Sequence, residues 1–175
     1  MSKPELQLPS QALAPKINYI DVDAGSVAAS EDYQDSQLLH GFKIDNLGIL
    51  LESEMTSELL TNLSVCSLPN TNQALYGMAN LRGNTIPVFD LRFLFGMPEC
   101  EYKYFLVIGT GEDSVSILLD EVPIQIDVGE QEKLNAFPPI PSVLRPHVTN
   151  AYYADNLWVE CDLMRFFESL SDHIK

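Results

Sequence analysis

The side chains that most often carry out catalysis are scattered along this chain. Its three histidines are His40, His147 and His173, and none stands beside a serine or cysteine in a nucleophile–base motif. Asp120 and Glu121 are adjacent, so on a strand their carboxylates point to opposite faces and cannot share an acid–base site. The sequence therefore predicts a protein that catalyses nothing, and an active site assembled from distant residues is the alternative.

The cysteines do not form a recognisable framework either. Cys66, Cys100 and Cys161 are far apart, odd in number and set in apolar surroundings. Disulfide scaffolds use even numbers of cysteines, and zinc sites use closely spaced pairs. We therefore expect three buried thiols in a reducing compartment, no metal site and no cofactor.

One short segment resembles a phosphate-binding loop at first sight. Gly109-Thr110-Gly111 has the Gly-x-Gly spacing, but Glu112 and Asp113 follow it directly. A third glycine and a following helix are missing, and two carboxylates would repel a phosphate. The segment is instead predicted to be a loop that joins the strands at 104–108 and 114–119.

A single arginine at a predicted turn is the most distinctive polar feature. Two short apolar runs flank Arg82-Gly83-Asn84, and an Asp-led apolar stretch then ends at Gly96. This pattern predicts a β-hairpin followed by a brief helix. A hairpin that presents Arg82 and Asn80 without a catalytic partner indicates a surface that binds another protein.

The charge balance limits the possible partners. The chain has 175 residues, 46% of them apolar, and a formal net charge of −15, which fits one globular domain. The acidic excess argues against a nucleic-acid backbone or an anionic membrane surface as ligand. It favours solubility, or pairing with surfaces that carry compensating charge. Without a signal-peptide pattern or an apolar run long enough to span a membrane, the expected location is the cytoplasm.

A change in composition near residue 37 divides the chain. Residues 1–37 carry six acidic residues against two lysines and show no sustained apolar period, so they are predicted to form an acidic flexible tail. The short apolar stretch Asn18-Tyr19-Ile20-Asp21-Val22 could remain mobile or dock on a partner. We expect residues 38–175 to form the folded domain and to fold without the tail.

The folded part has the pattern of a mainly β protein. Phe42 and Ile44 alternate with polar residues, as do the apolar residues at 115–119 and 124–128. Polar turns are predicted at Asp45-Asn46 and Asp155-Asn156. Asp162 can cap a closing helix with one apolar face, formed by Leu163, Phe166, Phe167 and Leu170. Short strands with turns between them indicate a β-barrel protein of unspecified type.

Several blocks of the sequence resemble one known family. Asn80-Leu81-Arg82-Gly83, Ile86-Pro87-Val88 and Asp90-Leu91-Arg92, closing on Gly96, are similar to the central signature of CheW-like domains. Further similar blocks, in order, are residues 41–51, Glu58-Leu59, Leu68-Pro69-Asn70-Thr71, residues 115–122 and residues 157–163. The resemblance covers about residues 38–170.

The resemblance implies both a fold and a function. The fold would be two five-stranded SH3-like barrels that share an interior, with short helices that include a C-terminal one. The protein would be a non-catalytic adaptor that couples a methyl-accepting chemoreceptor to a CheA-type histidine kinase. One barrel would bind the regulatory domain of the kinase, and the groove between the barrels would take the cytoplasmic tip of the receptor. The adaptor would then be recruited to membrane-associated receptor arrays.

Matching positions suggest which residues contact these partners. By position, family residues implicated in receptor contact or in shaping that face correspond to Glu58, Gly77, Asn80 and Arg82. Ser116 and Val122 lie on the strand region tied to partner binding. Structural roles are the alternative: backbone freedom for Gly77, core packing for Val122 and an internal ion pair for Arg82.

The details of the signature are closest to the adaptor branch that serves type IV pilus twitching systems. Flagellar chemotaxis is the competing assignment within the same class. A generic SH3-like or OB-like module for peptide or nucleic acid is the alternative from another class. Eight basic residues against nineteen acidic ones after residue 37, without an aromatic–basic cluster, argue against nucleic acid.

Overall fold

The computed structural model describes residues 38–69, 71–129 and 132–173. The tail predicted for residues 1–37, with its apolar stretch at 18–22, lies outside these residues. Within them, the chain forms twelve strands and two α-helices: β1 (Leu38–Ile44), β2 (Leu47–Leu50), β3 (Ser57–Leu60), β4 (Val65–Cys66), β5 (Leu75–Leu81), β6 (Asn84–Phe89), α1 (Leu91–Leu94), β7 (Tyr104–Ile108), β8 (Val115–Leu119), β9 (Ile124–Asp127), β10 (Glu132–Lys133), β11 (Val148–Ala154), β12 (Asn156–Cys161) and α2 (Leu163–His173).

The hairpin turns lie where the sequence predicts them. Asp45-Asn46 connects β1 to β2, Arg82-Gly83 connects β5 to β6, and Asp155 connects β11 to β12. Asp45, Arg82 and Asp155 all have positive φ, at 57°, 52° and 53°. A left-handed backbone at a tight hairpin turn matches the twist of the flanking strands. The loop predicted at 109–113 also joins β7 to β8, with a 3-10 turn at Gly111–Asp113.

The strands described by the structure form two six-stranded sheets. Sheet 1 has the order β10-β11-β12-β2-β1-β9, and sheet 2 has the order β3-β7-β8-β6-β5-β4. Pairing is antiparallel except between β12 and β2 and between β6 and β8. This mainly β architecture, with two sheets and a C-terminal helix, is the fold class that the sequence predicts. Two of the strands, β4 and β10, are only two residues long, too short to produce a recognisable alternation in the sequence.

Three apolar clusters explain how the sheets pack. A shared core contains residues of both sheets and of both helices, among them Phe42, Ile49, Phe89, Ile117 and Phe166. Sheet 1 also curls around a cluster of its own: Leu39, Leu50, Val128, Tyr152 and Trp158. Sheet 2 does the same around Ala79, Ile86, Val88, Val107 and Leu118. Two small barrels that share an interior, as the resemblance implies, account for this arrangement.

The C-terminal helix α2 closes the shared core as predicted. Asp162 caps it, since the Arg165 backbone N–H donates to Asp162 Oδ1 over 3.0 Å. The four predicted apolar residues are buried in the shared core: Leu163, Phe166, Phe167 and Leu170. Burying four such side chains contributes roughly 1.5–3 kcal/mol each before the loss of conformational entropy.

The prediction for the cysteines is only partly correct. Cys161 is buried, whereas Cys100 is half-buried and Cys66 is exposed. Cys66 stands on the edge strand β4, where one side of the strand faces water, so apolar neighbours in the sequence did not imply burial. All three are free thiols. In the part of the chain that is described, no helix is long and apolar enough to cross a membrane.

Candidate partner-binding surface

The tip of the β5–β6 hairpin is built by its own residues. Arg82 and Gly83 form a two-residue turn with φ values of 52° and 92°, which is the type I′ geometry that fits a hairpin. The Gly83 N–H donates to Asn80 Oδ1 over 3.2 Å and holds the turn closed. A Cβ at Gly83 would meet nothing within 4 Å, so backbone conformation rather than space selects glycine here. This turn fixes Arg82 and Asn80 at an exposed position.

Arg82 forms an ion pair at the tip, which is the internal pairing named above as the alternative to a partner contact. Its Nη2 donates to Glu58 Oε1 on β3 over 2.6 Å. The side chain of Arg82 is 72% exposed and that of Glu58 is 35% exposed. In the sheet order, β3 is one edge and three strands separate it from β5. Only a strongly curled sheet can bring Glu58 to the hairpin tip, so the ion pair marks one end of the sheet 2 barrel.

A shallow cavity of about 160 Å³ opens beside this ion pair. The apolar side chains of Ile86 and Val107 contribute to its wall, and the β7–β8 loop lies along one side. Its lining residues are Thr56, Glu58, Leu81, Arg82, Asn84, Ile86, Val107, Gly109, Thr110, Gly111 and Ser114. The hairpin tip therefore offers a mixed surface, with an exposed ion pair next to a small apolar depression.

Gly77 lies on β5 of the same hairpin, at the point where the neighbouring strand β4 comes very close. A Cβ at this position would lie 2.5 Å from the Cys66 carbonyl oxygen and 2.6 Å from Val65 Cγ1. The register of β5 and β6 is also irregular between Leu75 and Gly77. Gly77 is thus needed for the close approach of two strands, and it is buried. We therefore expect Gly77 to shape the surface around the β5–β6 hairpin rather than to contact a partner itself.

Ser116 and Val122 have opposite environments. Ser116 lies on β8 with no exposed surface, and its hydroxyl has no hydrogen-bond partner in the described part of the chain. Every residue of β8 is buried because the strand packs on the shared core with one face and on the sheet 2 cluster with the other. Ser116 therefore presents no surface to a partner in this structure. Val122 is 48% exposed after the end of β8, so it does not fill the core.

The six predicted positions therefore do not form one site. The structure brings Glu58, Asn80 and Arg82 together at the hairpin tip, which we call the tip surface. Gly77 supports this hairpin from inside, Ser116 lies in the interior, and Val122 lies on the separate β8–β9 connection.

A second arginine, Arg92 in α1, makes a cluster that sequence reasoning missed. Its Nη2 donates to Asp120 Oδ2 over 2.7 Å, and its Nη1 donates to the Pro98 carbonyl oxygen over 3.3 Å. Asp45, at the β1–β2 turn, lies 3.8 Å from Nη1. The Arg92 side chain is only 8% exposed. This cluster joins sheet 1, α1 and the end of β8, and a signal was present because Arg92 and Asp120 stand in two of the blocks that resemble the family.

Asp90 completes the polar network at this end of the hairpin. Its Oδ1 accepts from the Phe93 backbone N–H over 3.0 Å and caps α1. Its Oδ2 accepts from the Tyr102 hydroxyl over 2.6 Å. Burial raises the pKa of Tyr102, and the hydrogen bond to Asp90 raises it further. We call Asp90, Arg92, Tyr102 and Asp120 the base cluster.

One serine lies close to a histidine in the described part of the fold. Ser169 Oγ lies 3.3 Å from His147 Nε2, but the same hydroxyl donates its hydrogen to the Phe166 carbonyl oxygen over 2.7 Å. With its hydrogen directed at that carbonyl, the hydroxyl does not donate to the imidazole as a nucleophile donates to its general base. Across the described ranges, no group of three or more His, Cys, Asp or Glu side chains could hold a metal ion.

Comparison with known proteins agrees with this fold. The sequence profile of the CheW-like domain matches residues 40–168, so the chain belongs to the CheW-like domain family. The fold is similar to that of the scaffolding protein TtCheW from Thermoanaerobacter tengcongensis, with a TM-score of 0.59. The two share 21% sequence identity, over 76% of this chain and 93% of that chain. No curated protein matches the chain.

Proposed function

We propose that this protein is a non-catalytic adaptor that couples a methyl-accepting chemoreceptor to a CheA-type histidine kinase. The match of the CheW-like domain over residues 40–168 carries this proposal. The fold supports it, because the family signature becomes a hairpin whose tip is exposed and whose base is fixed in the core. An adaptor needs two accessible faces on one rigid body, and it needs no reacting groups.

The tip surface is the proposed contact for the receptor. Arg82 has five donors, and its 72% exposed side chain leaves most of them available to a partner. The neighbouring apolar depression could take a side chain of the receptor tip. Asn80 and Glu58 position the arginine, while Gly77 keeps β4 close beneath. Val122, exposed on the β8–β9 connection, is proposed to contact a partner separately.

The kinase regulatory domain is the second proposed partner. Adaptor contacts of this kind are small, so we expect modest affinity, on the order of micromolar, or about −8 kcal/mol. Isothermal titration calorimetry with the cognate kinase domain would measure it directly. An absence of binding heat at roughly hundred-micromolar concentrations, which lie far above that dissociation constant, would contradict the adaptor proposal.

We also propose that the pathway controls type IV pilus twitching rather than flagellar swimming, because the sequences of residues 68–71, 79–84 and 87–90 resemble the pilus branch. The adaptor would act in the cytoplasm at membrane-associated receptor arrays. Deleting the gene should then abolish twitching and leave swimming unchanged. Loss of swimming with normal twitching would assign the protein to the flagellar system instead.

A further inference from the structure

A groove lies beside the C-terminal helix and shares Ser114 with the cavity next to Arg82 and Glu58. It runs between α2 and the β7–β8 loop and has a volume of about 400 Å³. Apolar side chains from three elements line it: Pro87 on β6, Val115 on β8, and Met164 and Phe167 on α2. Met164 is half-buried, so an apolar ligand group placed here would remove further surface from water.

Carboxylates surround this apolar lining. Glu112 and Asp113 come from the 3-10 turn of the β7–β8 loop, and Glu168 comes from α2. All three are exposed, and within the described residues none of them has an ion pair or a side-chain hydrogen bond. Arg165, the cation on the same helix, pairs with Asp162 over 3.3 Å. The groove therefore carries uncompensated negative charge.

These carboxylates are not arranged around a metal ion. No group of three such side chains in the described part of the chain could hold one. Carboxylates spread along a groove instead suit the long side chains of lysine or arginine, which reach separate partners and lay their aliphatic stems on apolar surface.

Ser114 is a polar residue in the wall of the groove, with 4% of its surface exposed. Its hydroxyl makes no hydrogen bond to any other described residue, and it is not one of the fully buried unpaired atoms. The hydroxyl therefore reaches solvent and can accept a hydrogen bond from a polar group of a ligand.

We infer that this groove binds a cationic amphipathic protein segment. Its large apolar side chains would pack on Met164 and Phe167. A lysine or arginine would lie among Glu112, Asp113 and Glu168, and a polar hydrogen would reach the Ser114 hydroxyl. The inference does not depend on the receptor or the kinase, because only the chemistry of the groove selects the ligand.

A synthetic probe can test this on the full-length protein. The probe is a short Leu/Lys amphipathic helical peptide, and a Leu/Glu peptide of the same pattern serves for comparison. In an amide NMR titration, the Leu/Lys peptide should shift the signals of Glu112, Val115 and Phe167 most strongly. The Leu/Glu peptide should bind at least tenfold more weakly, and added salt should weaken the Leu/Lys complex.

Charge-matched variants separate this groove from general attraction to an acidic protein. The variant E112Q/D113N/E168Q should lower the affinity for the Leu/Lys peptide about tenfold. The control E54Q/E99Q/E101Q removes three exposed carboxylates elsewhere and should change it less than twofold. All six positions are exposed, so both variants should melt like the parent protein. Equal effects of the two variants, or shifts centred on another surface, would overturn the inference.

Discussion

The segment from β5 to α1 carries two arginines, Arg82 and Arg92, that each pair with a carboxylate. The two ion pairs differ in how far they are exposed to solvent. At the hairpin tip, Arg82 pairs with Glu58 and remains 72% exposed. At the base, Arg92 pairs with Asp120 over a similar distance, and its side chain is only 8% exposed. Both arginines belong to the blocks that resemble the family. Solvent exposure, rather than pairing, is what distinguishes them.

The difference in exposure determines which arginine can bind a partner and which one stabilises the fold. An exposed ion pair contributes about 0–1 kcal/mol, because water screens it and two long side chains lose freedom. Its guanidinium can exchange one carboxylate for another at little cost. A buried pair whose partner is removed leaves an uncompensated charge, which costs roughly 3–5 kcal/mol. We therefore propose that the tip surface binds a partner and that the base cluster stabilises the fold.

The largest expected effect follows from breaking the base cluster. Arg92→Ala leaves Asp120 without its main partner and opens the contact between α1 and the β1–β2 turn. We expect the free energy of unfolding to fall by about 3 kcal/mol, measured by urea denaturation. Arg165→Ala is the matched control, since Arg165 is 79% exposed and also paired with a carboxylate. An Arg92 variant no less stable than the control would refute the structural assignment.

A smaller effect is expected at Tyr102, and it depends on pH. Tyr102→Phe removes the donor to Asp90 and should lower the free energy of unfolding by about 1.5 kcal/mol at neutral pH. The pKa of Tyr102 is raised in the folded protein, so this contribution is complete below the unfolded value of about 10. It is lost as pH rises above that value, because the unfolded state then releases the proton more easily.

The difference in stability between the parent protein and Tyr102→Phe should therefore shrink above about pH 10. Urea denaturation of both proteins at neutral and alkaline pH measures this, and the remaining ionisable groups are common to both. A difference that stays constant or grows with pH would show that the hydrogen bond to Asp90 is not what stabilises the base cluster.

The sequence predicts the local elements of this fold better than its contacts. Gly83 and Asp45 mark turns because glycine and aspartate tolerate the left-handed backbone that these turns use. The pair Arg92–Asp120 spans 28 positions, and only the packing of α1 against the end of β8 brings the two together. The complete burial of Ser116 could not be predicted for a related reason. Alternation identifies two faces of β8, but it does not reveal that the curled sheet buries both.

The smallest expected effect on stability concerns the tip. Arg82→Ala should change the free energy of unfolding by less than about 1 kcal/mol, because the ion pair with Glu58 is exposed. Arg82→Lys keeps the charge but cannot reproduce the planar fork of donors, so it should lose part of a bidentate contact with a partner. Thermal melting of both variants beside the parent protein checks that the fold is intact.

Binding of the Arg82→Ala variant to the cognate receptor tip tests the central claim most directly. The loss of about 1–3 kcal/mol expected for a central charged contact corresponds to a roughly 5- to 150-fold weaker receptor complex. Affinity for the kinase regulatory domain, measured on the same sample, should remain unchanged. A stable variant that binds the receptor tip as tightly as the parent protein would contradict the assignment of the tip surface to the receptor.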